Sequence, residues 1–301
     1  MSISDAISLV QPLQIKLNRL LDCIRTMRRV VVALSGGVDS SVVAAAAHQT
    51  LGTNALAVTA HSPSVAQSDR FDASRIAQLI GIEHVIINTA EFSNPKYIKN
   101  DGSRCYYCKT ELYDQIQAIY PAAQGWTVLS GANLDDLGDF RPGLLAAAEH
   151  AVRHPLQEAG LTKAEVRELA RSWHLPVADK PASPCLSSRL APGVPATPDR
   201  TARIEAAEKW LIDNGLFNVR VRLHADELVR LEIPIDQIQK LVEPAVREAL
   251  IASFSQWGFR FITLDLEGFR SGSLNQLIQL DMRQRFAPAE VIKEHASTTR
   301  S

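Results

Sequence analysis

The sequence predicts an α/β protein of two domains. A doubly wound parallel sheet is expected over residues 1–185, and a smaller α+β domain over 186–301, ending in a polar tail after about 286 that is expected to be mobile. Three observations predict this. Continuous apolar runs such as Val30-Val31-Val32-Ala33-Leu34 suit strands buried on both faces of a parallel sheet. Such runs alternate with stretches of helical period. The 301 residues also correspond to two domains at roughly 150 residues each.

Each element has a local cause. Leu13, Leu17, Leu20, Leu21 and Ile24 recur at helical spacing, so 4–29 reads as one helix. The apolar run 30–34 is the first strand, and a glycine turn leads from it into a helix over 39–49 that ends near Gly52. Residues 55–59 read as the second strand, 69–80 as a helix stopped by Gly81, and 84–88 as the third strand. A helix over 105–119 and a fourth strand over 127–130 follow. Thr162 and Glu165 have capping-box spacing, which starts a helix over 162–173. Six prolines from Pro176 to Pro198 then exclude regular structure, leaving a linker or a functional loop. Beyond it, 199–214 is a helix closed by Gly215, and 217–224 and 228–233 are strands of alternating polarity. Residues 235–241 and 245–257 are helical, and 260–266 is the last strand.

Composition excludes several function classes. Lys plus Arg number 32 and Asp plus Glu 33, so 32 − 33 gives a formal charge of −1, and hydrophobic residues make up 46%. Disorder over most of the length is excluded. So is a nucleic-acid binder that relies on overall basic charge. No run approaches the roughly 18 apolar residues of a membrane span, and the amphipathic start lacks a cleavage signal. Four cysteines are too few for a disulfide framework and suit a reducing compartment. The expectation is a cytoplasmic protein with neither nucleic acid nor membrane as partner.

Ser35-Gly36-Gly37-Val38-Asp39-Ser40 lies between the first strand and the next helix, at the edge where open α/β sheets bind ligands. Two glycines permit close backbone approach and positive φ. The helix N-terminus offers N–H groups to an anion, and Ser35 and Ser40 add hydroxyls. Asp39 would repel a phosphate unless a divalent cation lay between them, which implies Mg²⁺. The competing reading is a tight turn with Ser and Asp as helix caps.

The hexapeptide resembles the SGGxDS signature of the PP-loop ATP pyrophosphatases. Further motifs are similar to the LarE family of ATP-dependent sulfur transferases: Arg104-Cys105-Tyr106-Tyr107-Cys108-Lys109, Gly131-Ala132-Asn133-Leu134-Asp135-Asp136, Phe140-Arg141-Pro142-Gly143 and Pro181-Ala182-Ser183-Pro184-Cys185-Leu186-Ser187-Ser188-Arg189. The resemblance implies a Rossmann-like, adenine nucleotide alpha hydrolase-like first domain. It implies adenylation by ATP of a carboxylate of pyridinium-3,5-biscarboxylic acid mononucleotide, then replacement of AMP by sulfur, in the making of the nickel-pincer nucleotide. It also implies a homo-oligomer, a small-molecule nucleotide substrate and a sulfide or other sulfur donor.

Cys185 sits in the proline-rich loop, where Arg189 would favour its thiolate; a small buried hydrophobe is the alternative. The resemblance makes it the sulfur donor, left as dehydroalanine in single-cysteine members. Cys105 and Cys108 form a C-x₂-C whose residues suit a redox disulfide, structural zinc or an iron–sulfur cluster. The resemblance implies a 4Fe-4S cluster on Cys105, Cys108 and Cys185, with one iron open to a sulfide. Cys23, among Leu20, Leu21 and Ile24, is expected to be core.

In 219–224 the cations share one strand face and the apolar residues the other. A three-residue loop, 225–227, pairs Val221 with Leu231 and Leu223 with Val229 on the buried side. It sets Arg222 opposite Arg230 and Arg220 opposite Glu232. Opposed like charges are unfavourable, so an anion is expected between them; a solvated face with a surface ion pair is the alternative. The resemblance places Arg220, Arg222, Glu208, Ser188, Arg189 and Glu232 at the substrate. Ser35, Gly36, Gly37, Asp39 and Ser40 are expected at ATP, with Asp39 on Mg²⁺, and Asn133, Asp136 and Arg141 are expected there from their place at the ligand-binding edge. Asp135 and Asp136 are expected to divide between metal binding and capping, and His61 and Ser62 to lie near adenosine. A tRNA 2-thiolation enzyme is the nearest rival, against which stand the charge of −1 and the lack of a basic appendage. An amidating synthetase would need a glutaminase domain besides. A nucleotide-binding regulatory module would leave the Cys185 loop and the arginine strand unexplained.

Overall fold

The computed structural model describes residues 11–138, 142–270, 274, 277 and 278. The first ten residues, Arg141 and the tail after about 286 lie outside them. In chain order the elements are α1 (Gln11–Met27), β1 (Arg29–Ala33), α2 (Val38–Leu51), β2 (Ala55–His61), α3 (Gln67–Ile80), β3 (Glu83–Asn88), α4 (Pro95–Ile98), α5 (Arg104–Ile119), β4 (Trp126–Leu129), α6 (Pro142–Glu149), α7 (Pro155–Glu158), α8 (Lys163–Ser172), α9 (Pro198–Asp213), β5 (Arg220–Leu223), β6 (Leu228–Glu232), α10 (Ile238–Val242), α11 (Pro244–Gln256) and β7 (Phe261–Leu264).

The chain divides into two compact units. One takes the described residues up to Glu91 together with Cys105–Ser183; the other takes Phe92–Arg104 and the described residues from Pro184 onward. The second unit therefore draws in a segment, 92–104, from the middle of the first, which linear reading of the sequence does not reveal.

The first unit is built on a four-stranded sheet in the order β3-β2-β1-β4, with every pairing parallel. β1 is central, and its alternate residues enter different cores. Val30 and Val32 pack with Leu20, Ile24 and Ile76 of α1 and α3. Val31 and Ala33 pack with Leu112, Tyr113 and Ile116 of α5 and with Ala146 and Ala147 of α6. A strand buried on both faces needs an unbroken apolar run, and this explains why β1 reads as one. Because β2 lies on one side of β1 and β4 on the other, the order reverses between β1 and β4. The loops that leave these two strands meet at the switch point.

The loop after β1 and the loop after β4 approach so closely that no side chain fits between them. A Cβ on Gly131 would stand 2.6 Å from the Ser40 nitrogen and 2.9 Å from the Asp39 carbonyl carbon. Gly36 has φ +74°, and a Cβ there would meet the Asp69 carbonyl oxygen at 2.7 Å. At both positions glycine is required by backbone contact. α8 starts with the expected capping box: the Thr162 hydroxyl accepts from the Glu165 backbone N–H, and Glu165 accepts from that of Thr162.

The second unit has a three-stranded sheet, β5-β6-β7, antiparallel between β5 and β6 and parallel between β6 and β7. The expected register holds: Val221 pairs with Leu231, Arg222 with Arg230, Leu223 with Val229 and Arg220 with Glu232. The first strand starts three residues later than the expected 217, because Asn218 has φ +53° and the Phe217 N–H is taken by the Gln237 side chain at 2.9 Å. The expected helix 235–241 divides into a turn at Ile235–Gln237 and α10. The proline-rich stretch is irregular except for a single turn at Leu186–Arg189. It is held by the inserted segment. Asn100 Nδ2 donates to the carbonyls of Ala191 and Val194 at 2.9 and 2.8 Å, and the Tyr97 hydroxyl pairs with Ser187 Oγ at 2.8 Å. α4, α6 and α7 carry no clear periodic signal, two of them being single turns.

The Gly131 contact sets a prediction. Gly131→Ala pushes the two loops apart and lowers stability by about 1–3 kcal/mol, read as the shift in the urea midpoint. An unchanged midpoint contradicts the close approach.

Candidate active site

The loop after β1 is internally bonded. Ser40 Oγ accepts from the Ser35 backbone N–H at 3.1 Å and lies 3.0 Å from Ser35 Oγ. Ser41 Oγ donates to the Gly37 carbonyl at 2.7 Å. The N-cap of α2 is Gly37, with no side-chain cap. The expected alternative, in which Asp39 caps this helix, is therefore not what is seen. Asp39 Oδ1 accepts from Asn133 Nδ2 at 3.1 Å, and Oδ2 is ion-paired with Lys163 Nζ. An uncapped N-terminus of a 14-residue helix, beside a carboxylate, can take an anion together with a cation that bridges the two.

Asn133 is buried and uses every polar group. Its side-chain oxygen accepts from the Asp135 N–H at 3.0 Å, its own N–H donates to Asp136 Oδ2 at 2.9 Å, and its carbonyl accepts from Gln157 at 3.0 Å. Asp135 Oδ2 in turn accepts from the Lys163 N–H at 2.8 Å. The acidic pair thus shapes the turn and the start of α8, and Asn133 aims Asp39. Among the described residues no three His, Cys, Asp or Glu side chains form a group that could hold a metal ion. Asp39 is a carboxylate at the phosphate loop that could hold Mg²⁺, which would take its remaining ligands from phosphate and water.

Two lysines at this site carry no sequence motif of their own. Lys163 follows the N-cap of α8. Lys180 Nζ is bound by Asp69 at 2.8 Å, Asp72 at 2.7 Å and, at 3.4 Å, the carbonyl of Gly36. Burial opposes its charge, but the two carboxylates prevail and raise its pKa. Ser183 Oγ also donates to Asp69, at 3.0 Å. Of the residues expected near adenosine, His61 is exposed. Ser62 is buried and accepts from the Ser64 N–H at 3.0 Å, and its hydroxyl donates to buried Glu91.

In the second unit Glu208 holds Arg189, and Glu232 holds Arg222 and Arg230. Arg189, 3% exposed, donates Nε and Nη2 to Glu208 at 3.0 and 3.2 Å. Its Nη1 donates to the carbonyls of Pro184 and Cys185 and to Ser188 Oγ. Arg189 thus ties oxygens of the Cys185 loop to Glu208. Glu208 also accepts the Val221 N–H at 3.1 Å, tying the loop to β5.

Glu232 is fully buried and bridges Arg222, at 2.9 and 3.0 Å, and Arg230, at 3.1 Å. The anion expected between the opposed arginines is therefore the protein's own carboxylate. Arg222 Nη1 also donates to the Ser188 carbonyl at 3.3 Å. Arg220 differs from these. It lies over the Phe269 ring, 5.0 Å from its centroid. Burial lowers its pKa, and the cations of Arg189 and Arg222 add to that against Glu208 and Glu232.

None of the four cysteines is in a disulfide. Cys105, exposed, and Cys108, half-buried, open α5 in the first unit, where α6 packs against them. A Cβ on Gly143 would stand 3.0 Å from Lys109 Cγ and 3.6 Å from the Cys105 carbonyl. Cys185 belongs to the second unit. Cys23, expected as plain core, is half-buried and donates to Glu158 Oε2 at 3.0 Å, with Arg153 Nη2 3.7 Å from its sulfur. Arg141, expected at the phosphates, lies outside the described residues.

A glycine loop at the switch point of a parallel sheet, leading into an uncapped helix with a carboxylate on its first turn, defines an ATP-dependent enzyme of the PP-loop class. The asparagine synthase family model matches residues 18–101, the segment that contains this loop. A pyridinium-3,5-bisthiocarboxylic acid mononucleotide synthase of Lactiplantibacillus plantarum is 35% identical over 270 residues, covering 89% of this chain and 96% of that protein. An uncharacterized protein of Synechocystis sp. is 43% identical over 266 residues, covering 88% and 99%. The tRNA-specific 2-thiouridylase MnmA of Xanthobacter autotrophicus is 33% identical, but covers only 52% of this chain and 49% of its own length. The chain belongs to the LarE family of ATP-dependent sulfur transferases, of which the Lactiplantibacillus synthase is a member. Among the described residues no helix is long and apolar enough to cross a membrane.

The cysteines set a prediction here. Burial, then the bond to Glu158, pushes the Cys23 pKa up to about 12, so Cys23 stays a thiol at pH 8, and the thiol is the unreactive form. Brief iodoacetamide treatment of the native protein at pH 8 should label exposed Cys105 and spare Cys23, read by peptide mass. Equal labelling of both contradicts the assignment.

Proposed function

We propose that this chain adenylates a carboxylate of pyridinium-3,5-biscarboxylic acid mononucleotide with ATP and Mg²⁺ and replaces AMP with sulfur, in the cytoplasm and as a homo-oligomer. The observation that carries the reading is the match to the synthase. It runs through both units, whereas the match to the tRNA enzyme covers about half of each chain. The two arrangements described above support it.

In the first step a substrate carboxylate oxygen attacks the α-phosphorus, and the bond to the β-phosphate breaks with its electrons leaving on pyrophosphate. The N–H groups at the start of α2 and the hydroxyls of Ser35 and Ser40 receive the phosphates. Asp39, aimed by Asn133, holds Mg²⁺, which neutralises phosphate charge when bound. Arg220 takes an anionic group of the substrate, which carries both phosphate and carboxylates. Arg222 with Glu232, and Arg189 with Glu208, hold the strand and the Ser188 loop around it. In the second step a sulfur nucleophile attacks the acyl carbon and AMP leaves.

The sulfur is delivered at Cys185, by one of two routes. In one, the Cys185 thiolate forms a thioester with the substrate. Loss of its α-proton then breaks the Cβ–S bond, leaving sulfur on the product and dehydroalanine in the chain. In the other, Cys185, Cys105 and Cys108 would hold a 4Fe-4S cluster, which would supply a sulfide.

Two experiments test this. Protein supplied with ATP, Mg²⁺ and the dicarboxylate mononucleotide should release pyrophosphate, and Asp39→Ala should lower that release about a hundredfold. Unchanged release in the variant would sink the assignment of Asp39. For the sulfur source, anaerobic protein is assayed for iron and sulfide and its intact mass is taken after one turnover. A loss of about 34 Da at Cys185, the mass of H₂S, marks the sacrificial route. A brown protein that keeps its mass and turns over repeatedly on added sulfide marks the cluster.

A further inference from the structure

Lys163 and Lys180 both reach the phosphate loop, and they are held very differently. Lys180 is fixed by two carboxylates and a carbonyl. Lys163 is held by one carboxylate, Asp39, which is the group a bridging Mg²⁺ would take. The root of Lys163 cannot move far. Its N–H is bonded to Asp135, and its neighbour Thr162 is locked in the capping box with Glu165. Glu165 is in turn ion-paired with Lys16 at 2.7 Å. The flexible part is the side chain beyond Cβ, which is about one-third exposed.

We propose that Lys163 is a phosphate ligand held in reserve on Asp39, and that it is transferred to the departing pyrophosphate when the metal–nucleotide complex binds. This rests on the ATP-using reading above. Asp39 Oδ1 is committed to Asn133, so Oδ2 serves either Lys163 or a metal. Magnesium binds carboxylate oxygen at about 2.0–2.1 Å, and a divalent cation at that distance repels the ammonium and loosens its hold on the same oxygen. Once displaced, the ammonium is an unpaired cation beside the triphosphate. An ammonium on a flexible stem acts as a point charge that can follow a moving phosphate. The pairing also prevents the carboxylate from repelling an incoming nucleotide before the metal is in place. Lys163 thus stabilises the charge that develops on the β-phosphate as its bond to the α-phosphorus breaks.

The test uses the full-length protein, with inorganic pyrophosphate as the probe, in the absence of metal, followed by calorimetry. Asp39→Asn releases Lys163 and should bind pyrophosphate about tenfold or more tightly than the parent chain, the size of a gained charged hydrogen bond. Adding Lys163→Met to Asp39→Asn should abolish that gain. With Asp39 intact, Lys163→Met should lower pyrophosphate release about tenfold or more and weaken product inhibition by pyrophosphate, while Lys163→Arg recovers part of both. Equal pyrophosphate affinity in Asp39→Asn and in the double variant, with unchanged urea midpoints, overturns the proposal, because only the removed carboxylate would then matter. If the parent chain releases no pyrophosphate from ATP, the ATP-using reading falls instead, and the metal-free binding series still reports on Lys163.

Discussion

The nucleotide site depends on one steric fact, the near-contact of two backbones at the switch point of the sheet. Gly131 leaves β4 so close to Ser40 that a methyl group would overlap the Ser40 nitrogen. That contact brings Asn133 under the first turn of α2 and sets its amide against Asp39. The same turn, through Asp135, anchors the start of α8 and with it Lys163. One glycine therefore sets the distance between a loop that can cradle phosphate and the groups that would manage its charge.

The second unit is governed by burial of charge. Glu232 is fully buried and would cost several kcal/mol if left alone; two arginines bridge to it. Breaking such a pair leaves an uncompensated buried charge, so Arg222 and Glu232 are structural partners as much as site residues. Arg220 differs in that burial, the largest cause, lowers its pKa, while Arg189 and Arg222 act against Glu208 and Glu232. Three charged groups of the sheet, Arg222, Arg230 and Glu232, thus form one buried ion-pair frame.

The thiols divide in the same physical way. Cys23 is held protonated by burial and by a carboxylate, Glu158, that accepts a hydrogen bond from its thiol. Cys105 opens a helix and faces solvent, and Cys185 sits in a loop whose carbonyls are drawn together by Arg189. Environment separates thiols that composition counts as equal.

The sequence by itself determined the parallel sheet, the phosphate loop, the capping box of α8 and the register of β5 on β6. Each follows from a local pattern: an apolar run, a glycine pair before a helix, Thr and Glu three apart, and alternation around a three-residue loop. Tertiary structure alone decided what those patterns face. That Gly131 abuts Ser40, that Lys163 and Asn133 share Asp39, that Glu232 answers the paired arginines and that 92–104 belongs with the Cys185 loop are contacts between residues distant in the chain. No local period encodes such contacts; they arise when buried faces close on one another and every buried charge must find a partner.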